Sequence, residues 1–159
     1  KKFARKLMIK FKYAFKLPES GEKPFTYTID IDEDEITLID NDPTGPEWTK
    51  LENYKCQNCP LKVEENEFCP VAKNLFNTVE YFKNAPSFEK AEVYVETPER
   101  TYYKNTSLQD GLFSIFGVIM ATSGCPPLDF LRPMARFHLP FSTLEETMIR
   151  SSSMKKLKK

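Results

Sequence analysis

The chain has 159 residues, with 23 Lys plus Arg against 23 Asp plus Glu, 13% aromatic residues and only 5 Gly. Those figures exclude a long low-complexity segment and the uniformly basic surface of a polyanion-binding protein, and point to one domain over residues 1–159. No run approaches the roughly 20 apolar residues of a membrane span, and the Lys-rich start lacks the apolar centre of an export signal, so a cytoplasmic location is expected.

Charge is zoned along the chain. Residues 1–17 hold seven bases and no acid, residues 18–53 eleven acids and two bases, and the closing "MKKLKK" four lysines. In "LMIKFKYAFKL" the apolar Leu7, Ile9, Phe11, Tyr13, Phe15 and Leu17 alternate with mostly Lys, the period of a half-buried strand. "FTYTIDID" repeats the alternation with Phe25, Tyr27, Ile29 and Ile31, and the intervening "PESGEKP" predicts an antiparallel hairpin. With Gly21 near its centre, Lys12 falls opposite Asp30 and Lys10 opposite Asp32 on the face away from the core. Ile36 and Leu38, followed by Asp-Asn-Asp-Pro, predict a third short strand and so a meander. "DIDEDEITLIDN" is not a calcium loop, because Glu35 stands where Gly is required and Asn41 where a bidentate Glu is needed.

Pro70 suits a first helical position, and Val71, Leu75, Val79 and Phe82 mark one face of a helix to about Lys83. "AEVYVETPERTYYK" reads as a second hairpin turning over 97–100. Ser107 with Asp110 opens a helix that places Leu108, Leu112, Ile115, Ile119 and Met120 inside and stops at Gly124. The Pro-rich "CPPLDFLRPMARFHLPF" predicts short helical turns, and Ser142 with Glu145 a capping box for a terminal helix that runs into the Lys-rich tail. The class is α+β: an N-terminal antiparallel meander, a cysteine-rich insert at about 55–70, a second hairpin, and three or so helices packed on the sheet.

"KCQNCPLKVEENEFCPVA", residues 55–72, carries Cys56, Cys59 and Cys69, and Cys125 follows far downstream. A C-x2-C pair chelates one ion from a tight knuckle, and four thiolates make a closed, structural zinc site, with His138, the single histidine, as substitute ligand. Cys69 and Cys125 each precede a Pro at a helix start, where unpaired N–H groups and the helix dipole favour the thiolate. Competing readings are reduced, packed thiols, and a thiol or redox enzyme in which Arg132 or Arg136 lowers the pKa of Cys56, Cys59 or Cys125. An iron–sulfur electron-transfer centre also fits, since Cys-Pro steps flank such clusters. A thioredoxin-like use of "CQNC" lacks its βαβ surroundings. The chain opens on Lys1, so an upstream export leader, with two disulfides in place of metal, is a further arrangement.

Arg132 and Arg136 lie four residues apart and suit an anion, or else pair with carboxylates such as Asp129 and Glu145. His138 finds no nucleophile partner in the sequence and reads as a packed, hydrogen-bonded histidine. With no catalytic residues assigned, the expected activity is binding of a protein or a small anionic ligand near 124–138. Homo-oligomer formation is compatible, and the sequence shows no nucleic-acid signature.

The segments "CQNCP", "FCPVA", "ERTYYKNTSLQDGL", "MATSGCP" and "PMARFHLPF" resemble those of a small uncharacterised bacterial family, a domain of unknown function. The resemblance spans about residues 48–150 and, more loosely, the N-terminal hairpin. It implies no activity, and its implied residues are Cys56, Cys59, Cys69, Cys125, Arg132, Arg136 and His138.

Overall fold

The structure, a computed structural model, describes residues 8–18, 25–32, 35–39 and 44–157. Among them, β1 (Met8–Lys16), β2 (Phe25–Asp32), β3 (Lys90–Glu96) and β4 (Thr101–Ser107) form one antiparallel sheet in the order β2-β1-β3-β4. The alternation read from β1 holds: Phe11, Tyr13 and Phe15 are at most 3% exposed and join Ile29, Ile31, Ala91, Val93 and Val95 on one buried face. The opposite face is polar, as expected of an antiparallel sheet covered on one side.

Two N-terminal expectations are corrected. β1 and β2 pair two residues away from the expected register, so Lys10 lies opposite Asp30, 3.4 Å away in an ion pair, and Met8 opposite Asp32. A slip of two preserves the buried face, which is why alternation alone did not fix it; the turn that decides it lies outside the described residues. Lys12 reaches instead across to Glu96 on β3 at 3.1 Å. Leu38 contributes a single bridge to Ile31 where a third strand was expected. Asp32 is responsible: its Oδ1 accepts the Glu35 N–H, its backbone bonds Thr37 and Ile36, and Ile36 turns at φ 54, which breaks an extended run.

The helices are α1 (Pro70–Phe82), α2 (Leu108–Thr122), α3 (Arg132–Arg136) and α4 (Leu144–Leu157), with 3-10 turns at Glu47–Thr49 and Pro126–Leu131. α2 begins where expected, with the Ser107 Oγ accepting the Asp110 N–H, and Gly124 ends the segment at φ 82, a left-handed conformation suited to glycine. α4 is capped one residue later than expected. Thr143 and Glu146 exchange the reciprocal bonds, at 2.7 and 3.2 Å, while Ser142 turns to Thr147. Both spacings satisfy the capping pattern, and sequence alone does not choose between them.

α2 crosses the buried face of the sheet with Leu108, Ile115, Val118 and Ile119 inside, and α1 packs beside it, Phe82 meeting Phe15 edge-on at 5.3 Å. The approach of α2 is set at Gly111, where an added Cβ would stand 2.8 Å from Phe15 and 2.8 Å from Val93. On Gly117, two turns further on, an added Cβ meets no atom within 4 Å.

The two glycines therefore respond oppositely to alanine. Gly111→Ala is expected to lower unfolding free energy by about 1–3 kcal/mol through overpacking, whereas Gly117→Ala raises it by about 0.5–1 kcal/mol through helix propensity. Urea denaturation of the two variants checks the difference in sign.

Candidate functional site: a thiol cluster and a histidine-centred cleft

Two places gather the chemistry-bearing residues. The first is the cysteine insert. Its neck is a short antiparallel ladder, Leu51 N–H to Glu67 O at 2.9 Å and Cys69 N–H to Thr49 O at 2.8 Å, with Lys50 bridged to Phe68. Thr49 is fully buried and its hydroxyl donates to Pro46 O at 2.7 Å. Beyond the neck the insert has almost no interior: from Leu51 to Glu67 only Leu51 itself is buried, and Tyr54 is 76% exposed. A turn closes on the Cys59 N–H to Cys56 O bond at 3.0 Å, the local form of a C-x2-C knuckle.

Cys69 caps α1, and Cys125 caps the turn that follows α2. The Cys125 thiol is close enough for Cys69, Cys59 and Cys56 to act on it electrostatically. Its pKa is raised, first by burial, against a lowering by the Leu128 N–H, with lesser upward contributions from Cys69, Cys59 and Cys56. The expectation that the helix start would favour a Cys125 thiolate is thus corrected: burial and neighbouring thiols outweigh one amide. All four cysteines are free thiols, and among the described residues no group of three or more His, Cys, Asp or Glu side chains is placed so that it could hold a metal ion. Thiols are by chemistry the donors zinc takes.

Arg132 is paired with Asp129, the carboxylate partner weighed for it, so its charge is not directed at a thiol. Arg136 is exposed and lines a cleft with Arg100 and Arg150 beside the β3–β4 turn. His138 lies apart from the cysteines. Its Nε2 is 2.5 Å from the Tyr13 hydroxyl, its ring meets Phe11 edge-on at 5.2 Å, and burial followed by the Arg150 charge lowers its pKa to about 3. The imidazole is therefore neutral, and its engagement with Tyr13 competes with the substitute-ligand role.

Tyr13 also lies 3.1 Å from the Ser114 Oγ, which accepts the Phe141 N–H at 3.4 Å, so β1, α2 and the α3–α4 connection meet at one buried hydroxyl. Burial raises the Tyr13 pKa, an effect reduced by the Ser114 bond. Around this junction opens a cleft of about 530 Å³ between α2, α3 and α4, lined among others by Lys104, Phe113, Gly117, Met134, Phe141 and Arg150. Phe141 sits at φ 61, a rare conformation for a bulky residue, with the Lys104 ammonium 5.9 Å over its ring. Arg150 donates to Met134 O at 3.0 Å and to Phe137 O at 2.5 Å, tying α4 to α3.

The sequence reading missed Tyr13, Ser114, Lys104, Gly117 and Arg150. One signal was present: a Tyr on the inward face of a strand needs a polar partner for its hydroxyl, and His138 is the only histidine.

No helix among the described residues is long and apolar enough to cross a membrane by itself; α2 with the turns after it has the composition but bends by 111°. The chain belongs to the family of the domain of unknown function DUF6901, whose model matches residues 9–159. No curated protein and no solved structure matches it.

The His138 environment sets an acid limit on stability. In the unfolded chain the imidazole takes up a proton near pH 6.5, while in the folded chain it resists protonation down to about pH 3. Below pH 6.5 the unfolded state holds more protons, so stability falls as pH falls and has no slope from this group above that point. The clefts let water reach one edge of the ring, and the loss by pH 4 is put at about 2–3 kcal/mol. Denaturation of His138→Gln between pH 7 and 4 is expected to flatten this limb by about one proton.

Proposed function

We propose that this protein is a non-enzymatic binding domain whose cysteine insert is fastened by one zinc ion on Cys56, Cys59, Cys69 and Cys125, and which engages a ligand or partner through the surface near residues 124–138. The observation that carries the metal reading is that Cys69, Cys59 and Cys56 all act on the Cys125 thiol from a separate part of the chain. Four thiols brought together without a cation oppose one another's ionisation, and a divalent cation reverses the sign of that interaction. The insert supplies the second support: some sixteen residues beyond the neck bury almost nothing, so a local clasp has to replace the missing core. Zinc supplies that clasp by binding thiolates, and in such sites metal-binding free energy is largely folding free energy.

A raised pKa at Cys125 and an Arg132 held by Asp129 give the thiol-enzyme alternative no activated cysteine at that position. The surface near 124–138 takes its support from the cleft, to which Leu131, Met134, Ala135 and His138 contribute.

Elemental analysis of the purified full chain is expected to give about one zinc and negligible iron per molecule. Cys56→Ser, or chelation, is expected to remove the metal and lower the melting temperature by about 10 °C, the equivalent of several kcal/mol at this size. Unchanged melting and metal content in Cys56→Ser would defeat the reading.

A further inference from the structure

We infer that the cleft between α2, α3 and α4 binds a small amphipathic anion, a carboxylate carrying a medium-length acyl chain or a flat aromatic body. This assignment deepens the reading of the 124–138 surface and rests on it, but it is independent of the metal.

Three observations carry it. The first is Gly117. A glycine in the interior of a helix costs stability, and the fold needs none here, since an added Cβ meets no atom within 4 Å. Gly111 on the same helix is explained by its contact with the sheet; Gly117 is explained only by the open space above it, which belongs to the cleft. The second is the floor on which that space stands. Phe113, Gly117 and Ala121 follow one another at four-residue intervals along α2, about 12 Å from first to last, and all three line the cleft. Phe113 is 60% exposed at one end, and Leu131 and Met134 supply apolar contact opposite. An extended apolar body matches this trough.

The third observation is charge. Lys104 enters the cleft from β4, near the Phe113 end, and its ammonium has the Phe141 ring as a contact but no carboxylate within ion-pair distance among the described residues. Arg150 adds a second, partly desolvated cation, held by two carbonyls and acted on by the Glu146 carboxylate. The acid on the rim, Asp110, accepts the Thr106 hydroxyl on Oδ2 at 3.2 Å. His138 is neutral and adds no charge, so the cleft lining carries two cations and one carboxylate, a net positive balance. The volume of about 530 Å³ lies within the range of small-ligand sites.

The test is a fluorescence titration of the full, metal-replete chain with 8-anilinonaphthalene-1-sulfonate, an aromatic anion, followed by displacement with decanoate, decanol and decylammonium. Saturable binding displaced by decanoate and not by decylammonium is expected. Gly117→Leu, which fills the trough from a position with free space, should weaken dye and decanoate at least tenfold while the chain melts no lower than the native one. Lys104→Gln, at an exposed position that leaves the fold intact, should weaken decanoate several-fold and leave decanol unchanged. Failure of decanoate to compete, or unaltered affinity in Gly117→Leu, overturns the assignment. The metal content of the native chain keeps the two readings apart: a native chain that holds zinc and ignores decanoate loses the ligand assignment alone, and a native chain purified without zinc that still binds decanoate loses the metal alone.

Discussion

The seating of α2 on the sheet governs everything placed around it. Gly111 allows the helix backbone to lie directly on Phe15 and Val93, and from that contact Leu108, Ile115, Val118 and Ile119 descend into the core. One end of the helix, near Ser107 and Asp110, then borders β4 and Lys104, and the other delivers Gly124 and Cys125 to the region of α1. A side chain at 111 would lift the helix and displace both ends together. Apolar interiors are close-packed, so a displacement at such a contact is transmitted and not absorbed.

The two ends have different physical characters. At the Cys125 end lies an insert that contributes almost no core, which is the ground for proposing a metal clasp there. At the Lys104 end, apolar surface and two cations gather around a histidine kept neutral by burial. Tyr13 links this second region to the centre of the sheet, since its hydroxyl reaches both Ser114 and His138 from the middle of β1. A buried hydroxyl with two partners restricts where the α3–α4 connection can lie, and Arg150 closes the same connection from α4 through two carbonyls.

Elements with strong local signals were legible in the sequence. The alternation of β1, the hairpin turn at 97–100, Pro70 at the start of α1, and the Ser107 cap all depend on neighbours in the chain, and each lies where its local chemistry put it. Register and tertiary placement were not legible. The pairing of β1 with β2 depends on a turn and on β3, which draws Lys12 to Glu96; Asp32 broke the expected third strand through hydrogen bonds that no periodicity encodes. In the cysteine insert the C-x2-C spacing is a local signal, whereas the place of Cys125 depends on how α2 lies on the sheet. Gly117 carries no local signal, because open space above a glycine is a property of three helices at once.

The proposed clasp is four sulfurs sharing one cation at the end of α2. Zinc-edge X-ray absorption on the purified full-length chain measures this directly. Four sulfur neighbours at about 2.3 Å are predicted. A first shell of nitrogen and oxygen, or two or fewer sulfurs, would contradict it.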